Sequence, residues 1–269
     1  MKIIKANGTE YLAFDNITST NLVKHCFTTR IGGVSEGVFA SLNLGRNRGD
    51  SDENVFKNYD IIQEAVGFTP KSFVTAKQTH GTNVFHAKKE HAGMGLYSEH
   101  TLESIDGMIT NEVGLPILIF GADCVPVYYV DTKQKAIGLA HCGWEGTGKR
   151  MAEVTLQAMI DTFGTNPKDV VAGIGPSISQ SCFQIDQPVI DLFEKNIDFY
   201  RDYLKEDPSE QGKFLMDLWG MNAQLLRNMG VESIEISGLC TVCETEFFFS
   251  HRGMGDNRGS MAGIMELKG

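Results

Sequence analysis

The chain has 269 residues, of which 42% are hydrophobic and 22% charged, enough apolar material for a real core. Its 34 acidic residues outnumber 24 basic ones, and a net charge of −10 argues against nucleic-acid binding, because phosphate backbones demand Lys/Arg patches. The opening residues lack the apolar run of an export signal, and no stretch approaches the roughly 20 apolar residues of a membrane helix. A cytoplasmic setting is therefore expected, with the six cysteines as thiols or ligands rather than disulfides.

In chain order, Ile117–Phe120 and Val125–Val130 read as buried strands on either side of a Gly121–Cys124 turn. Lys135–Ala140 reads as a third strand, ending at His141. Gly148–Phe163 has helical spacing, with Met151, Val154, Leu156, Met159, Ile160 and Phe163 on one apolar side. Val170–Ile174 is a short β run stopped by Gly175-Pro176, and Asn222–Met229 a helix stopped by Gly230. Ile234–Leu239 and Thr245–Phe249 read as late strands. With no repeat, low-complexity tract or linker, residues 1–269 read as one α/β (α+β) domain, layered rather than a bundle.

Three segments carry metal-capable or reactive side chains. They are Lys77-Gln78-Thr79-His80-Gly81, Gly121-Ala122-Asp123-Cys124-Val125-Pro126 and Ala140-His141-Cys142-Gly143-Trp144. Each sets a His or Cys beside a small residue at a strand edge, where enzymes place reactive groups. Imidazole and thiolate suit a borderline-soft cation such as Zn²⁺, and three protein ligands leave an open fourth position. The alternative is that the histidines are hydrogen-bonded structural residues and Cys124 a buried small hydrophobe. Asp123 is either a general acid/base or a group that orients a neighbour. Arg30 and the Gly45-Arg46-Asn47-Arg48-Gly49-Asp50 loop are candidates for anion binding or plain exposed turns. Cys240-Thr241-Val242-Cys243 is a CxxC without a second pair and reads as structural or incidental. His86, His91 and His100 read as solvated loop histidines.

Taken together, the motifs resemble the laccase-domain family, also described as YfiH/YlmD-like multicopper polyphenol oxidases and as purine nucleoside phosphorylases. The resemblance rests on Thr28-Thr29-Arg30-Ile31-Gly32-Gly33-Val34-Ser35, Ser41-Leu42-Asn43-Leu44-Gly45, Gln78-Thr79-His80-Gly81 and Asp106-Gly107. It continues through Ala122–Pro126, Ala140–Trp144, Ile174-Gly175-Pro176, Cys240-Thr241 and Phe248–Arg252. It implies an αββα-type sandwich and Zn²⁺, or copper under the older label, held by His80, Cys124 and His141. It implies phosphorolysis of adenosine, inosine, guanosine and methylthioadenosine, with adenosine deamination: a transferase and hydrolase whose partners are nucleosides and phosphate. Arg30, Arg48 and Asn43 are then expected at phosphate and sugar, and Gln78 at the rim of the metal. Two positions depart from the family pattern, where Glu145 and Ser260 stand in place of arginines. The rival readings are a Cys124–His141 thiol hydrolase acting on cell-wall precursors and a copper polyphenol oxidase, for which one His/His/Cys set is a small ligand complement.

Overall fold

The computed structural model describes residues 1–98 and 102–269, so His100 lies outside the described residues. Eleven strands build its two large sheets. In chain order they are β1 (Lys2–Ala6), β2 (Thr9–Ala13), β3 (Val23–Thr28), β4 (Val84–His86), β5 (Gly107–Thr110) and β6 (Ile117–Gly121). There follow β7 (Val125–Asp131), β8 (Ala136–Cys142), β9 (Val170–Ile174), β10 (Ser233–Ile236) and β11 (Met261–Leu267). The first sheet has the order β1-β2-β3-β11-β6 and the second β10-β9-β7-β8-β5-β4. The helices used below are α1 (Asp52–Val66), α2 (Trp144–Gly148), α3 (Met151–Phe163), α4 (Gln187–Asn196), α5 (Leu218–Asn228) and α6 (His251–Met254).

The sheets pack face to face with helices on both outer sides. Side chains alternate across a strand, and in β7 Tyr128 and Val130 enter the layer between the sheets, whereas Val125, Val127 and Tyr129 face α3 and α5. In β6, Ile117 and Ile119 point inward and Leu118 packs with Val55, Tyr59 and Ile62 of α1. Both faces of these strands are covered, so their sequences are continuous apolar runs rather than alternating ones. This is the expected αββα sandwich. Ser51 caps the start of α1 by accepting the Asn54 N–H, and Gly67 closes it at φ 80°, the left-handed turn that suits glycine.

The structure amends three element expectations. The helix expected over Gly148–Phe163 is α3, which starts only at Met151: Arg150, with a left-handed φ of 63°, separates it from α2, which ends at Gly148. Thr245–Phe249 forms no strand; its amides fold back on Glu244 in a turn. Phe248 and Phe249 are nevertheless buried, against Leu12, Phe27 and Met261, so their hydrophobicity reports a core plug rather than a ladder. His86 lies in β4 rather than in a solvated loop.

Candidate active site

β6 belongs to the first sheet and β7 to the second, so the Gly121–Cys124 turn crosses between sheets at their common rim. This crossing brings Cys124 to the mouth of the sandwich. In β8, Ile137 and Leu139 face the inter-sheet layer while Ala140 and Cys142 face α3. Alternation therefore turns His141 toward the mouth and leaves the adjacent Cys142 as inert core. His80 arrives on the loop after the short strand Ala76–Lys77, with φ 59°, and Asp123 has φ 89°. Two non-glycine residues in this sparsely populated region, one a candidate ligand and the other next to one, mark a backbone held in place by its surroundings.

The donor atoms of His80, Cys124 and His141 all lie within 4.8 Å of one another. Cys124 Sγ is 3.7 Å from His80 Nε2, and the two imidazole centroids are 4.9 Å apart. Gly143 sits against the cluster: a Cβ there would come within 2.9 Å of Cys124 Sγ and 2.8 Å of His80 Cδ2. One imidazole–thiolate–imidazole set around a common space, with a hydrogen in place of a side chain beside it, fits a borderline-soft metal ion.

The group that organises this set is Asp106, to which the sequence reading assigned no role. Its carboxylate is fully buried and accepts the backbone N–H groups of Thr79, His80 and Gly81 at 3.1, 2.9 and 2.8 Å. Asp106 Oδ1 also lies 2.9 Å from His141 Nδ1, which leaves Nε2 as the outward-facing nitrogen. Burial works against the Asp106 charge, but the His141 contact and the backbone donors outweigh it and hold the carboxyl at about 2. Burial likewise opposes the Cys124 thiolate, yet the charge of His141 and hydrogen bonds from both histidines bring it down to about 6. For His141 the penalty of burial is overcome by Cys124 and Asp106, which raise it to about 9. The three groups thus favour thiolate beside imidazolium when nothing else neutralises the sulfur.

Asp123 does not orient either histidine. Its Oδ1 accepts the Thr241 hydroxyl and its Oδ2 the Arg252 N–H, both at 2.6 Å, so it clamps the Cys124 turn to the C-terminal loops. Gln78 lines the cavity but spends its amide on the Phe120 backbone, donating to the carbonyl at 2.9 Å and accepting the N–H at 2.7 Å.

The cluster opens into a cavity of about 1220 Å³, ample for a ligand of drug size. Arg46, Arg48 and Arg258 line it together with the triad, and Phe120, Trp144 and Phe183 supply flat apolar walls. Arg258 is buried, and its Nε has no hydrogen-bond partner among the described residues. Burial first, and then the nearby Arg48, work against its charge. A buried donor of this kind beside a second guanidinium is a place for an oxyanion.

Two expected substrate contacts are corrected. Arg30 lies outside the cavity lining: it donates to the carbonyls of Ala40 and Thr245 and stacks over Phe249. Asn43 is wholly buried and structural, donating to Gly45 O and Asp50 and accepting the N–H groups of Gly45 and Ser260. Glu145 also lies outside the lining, paired at 2.8 Å with Lys149 one helical turn on.

Comparisons with known proteins agree with this architecture. The family described as multi-copper polyphenol oxidoreductase laccase matches residues 24–268. A purine nucleoside phosphorylase of Bacteroides thetaiotaomicron is 36% identical over 94% of this chain and 95% of its own length. Purine nucleoside phosphorylase YlmD of Bacillus subtilis is 35% identical, over 90% of this chain and 87% of its own. The solved structure of Bacillus licheniformis YfiH superposes with a TM-score of 0.90 at 32% identity, covering 99% of both chains.

Proposed function

From a chain that belongs to the multi-copper polyphenol oxidoreductase laccase family, we propose a purine nucleoside phosphorylase that also deaminates adenosine. The observation that carries this reading is one cavity lined both by His80, Cys124 and His141 and by the Arg48–Arg258 pair. Its relatives' names point the same way.

In phosphorolysis a phosphate oxygen bonds to C1′ of the ribose while the C1′–N9 bond breaks. The purine leaves with the electron pair and takes up a proton. Arg48 and the partnerless Nε of Arg258 are the donors for the phosphate. Arg258 thereby replaces the charge that family members carry where this chain has Ser260. Phe120, Trp144 or Phe183 offers a face on which the base stacks. His80, Cys124 and His141 would hold Zn²⁺, with Asp106 fixing the His141 tautomer so that Nε2 faces the ion. A zinc ion bound there supplies Lewis acidity and a means of activating water near neutral pH, as deamination at C6 requires.

The test is base release from inosine, guanosine, adenosine and methylthioadenosine, with and without phosphate. Ribose 1-phosphate formed only with phosphate supports the reading; no release, or release indifferent to phosphate, sinks it. Ammonia produced from adenosine without phosphate tests the deaminase arm. A second reading, a thiol hydrolase, draws on the Cys124–His141–Asp106 contacts themselves. It requires amide hydrolysis that survives removal of metal by a chelator.

A further inference from the structure

Outside the cavity, three thiols from distant parts of the sequence converge. Cys182 ends the turn Gln180–Cys182, and Cys240 and Cys243 belong to the CxxC turn. Their sulfurs all lie within 4.8 Å of one another, and Cys182 Sγ is 3.4 Å from Cys243 Sγ. The CxxC that lacks a partner in the sequence acquires one in space.

The loops carrying them are fixed from several sides. Cys240 is buried and forms a β-bridge with Ser177, and its carbonyl accepts the Glu244 N–H at 3.0 Å. Cys243 is exposed and Cys182 partly so, which leaves an entry path from solvent. The Ser179 N–H points at Cys240 Sγ from 3.4 Å, and the Cys243 N–H contributes to the same sulfur. Amide donors aimed at a cysteine sulfur favour its thiolate.

We propose that Cys182, Cys240 and Cys243 form a second metal site, distinct from His80–Cys124–His141, that takes a thiophilic d¹⁰ cation, Zn²⁺ or Cu⁺. With metal–sulfur bonds of about 2.3 Å, three thiolates around one ion stand about 3.8–4.0 Å apart. That spacing falls between the 3.4 Å of the Cys182–Cys243 pair and the 4.8 Å limit of the set. The donors are all sulfur, which selects soft ions over Mg²⁺ or Ca²⁺. Phe183 and Gln184, directly after Cys182, line the large cavity, and Thr241, directly after Cys240, bonds Asp123. An ion here ties together the two loops that brace the Cys124 turn.

The test uses full-length protein purified under reducing conditions. Elemental analysis should give about two metal ions per chain for the wild type and about one for Cys182→Ser or Cys243→Ser, the loss expected when a thiolate ligand is removed. Cys124→Ser should lose the other ion. Cobalt added to Cys124→Ser should still give a thiolate-to-cobalt absorption band, which disappears in Cys124→Ser/Cys182→Ser. Titration with Zn²⁺ and with Cu⁺ against competing chelators identifies the preferred ion. Melting curves of each variant confirm that it is folded, which the partial exposure of both serine positions favours. The proposal is overturned if Cys182→Ser and Cys243→Ser keep the wild-type metal content. It is equally overturned if cobalt shows no thiolate band in Cys124→Ser, or if the reduced cluster binds neither ion and forms only a Cys182–Cys243 disulfide in air.

Discussion

Asp106 is the residue on which most of the site's geometry converges: three backbone N–H groups and one imidazole meet on a single buried carboxylate. Asp106→Asn replaces one acceptor oxygen with an NH₂ that faces donors. Metal affinity or turnover is expected to fall 10- to 100-fold, the usual cost of losing the carboxylate behind a metal-binding histidine, at about that scale. Elemental analysis beside kcat/KM decides it, and unchanged values of both would show that the carboxylate is only a loop fastener. Arg258 and Glu145 make a contrasting pair. Arg258→Ala should raise the phosphate KM roughly tenfold to a hundredfold, the value of a charge-assisted hydrogen bond of about 1.5–3 kcal/mol. Glu145→Arg should leave phosphorolysis nearly unchanged, because Glu145 pairs with Lys149 away from the cavity lining. Steady-state kinetics with phosphate varied separate the two; a large gain from Glu145→Arg would place that side chain at the phosphate subsite.

At the scale of elements, the start of α2 and the middle of β3 each hang on one position. Gly143 caps α2, and a Cβ there would meet both Cys124 and His80 across the site. Gly143→Ala should lower metal content while far-UV circular dichroism stays native, since the added methyl meets ligand side chains rather than the helix. His25 in β3 is buried and accepts the Phe14 N–H on Nε2, which joins the end of β2 to β3. Burial depresses it to about 4 from an ordinary 6.5. The neutral form is the stabilised one, so its contribution is complete above pH 6.5 and is lost as pH falls from 6.5 toward 4. Between pH 7 and 4.5 the loss amounts to roughly 2–3 kcal/mol. Asp106, held at about 2, loses its contribution only below the ordinary carboxylate range, so the two windows are separate. Urea unfolding at pH 7 and 4.5 should show a flatter pH response for His25→Gln, whose amide oxygen can still accept the Phe14 N–H. An identical slope in both proteins would exclude His25 as the source.

For the whole molecule, the His80–Cys124–His141 set joins the His80 loop, the turn that crosses between the two sheets and strand β8 at the rim, so an ion there fastens this end of the sandwich. At free metal about a thousandfold above Kd, binding adds about 4 kcal/mol to stability. For a chain of this size that corresponds to a Tm rise on the order of 10 °C. A chelator should lower Tm by that order and added Zn²⁺ restore it, measured in Cys182→Ser to exclude the thiol cluster. A Tm indifferent to chelation would mean that the rim holds itself together without an ion.

The strands β6, β7, β8 and β9 were legible in the sequence because continuous apolar runs ending at glycine, aspartate or histidine are what strands covered on both faces must contain. Their small flanking residues also exposed His80, Cys124 and His141 as candidates. Local sequence carried less where long-range contact decided the outcome. Phe248 and Phe249 have strand chemistry, but the backbone there turns back on Glu244 and their rings plug a core. Arg30, in a basic loop rich in glycine, and Asn43, expected at the substrate from the family resemblance, instead have their hydrogen bonds consumed by the turns they sit in. Asp106 is an ordinary Asp-Gly pair until the fold places His141 and the His80 loop around it. Cys182 joins Cys240 and Cys243 only through the packing of two loops. The sequence by itself determined which segments are apolar on both faces and which side chains can bind a metal. Only the tertiary structure decided which of those side chains meet, because burial and hydrogen-bond partners depend on residues far away in the chain.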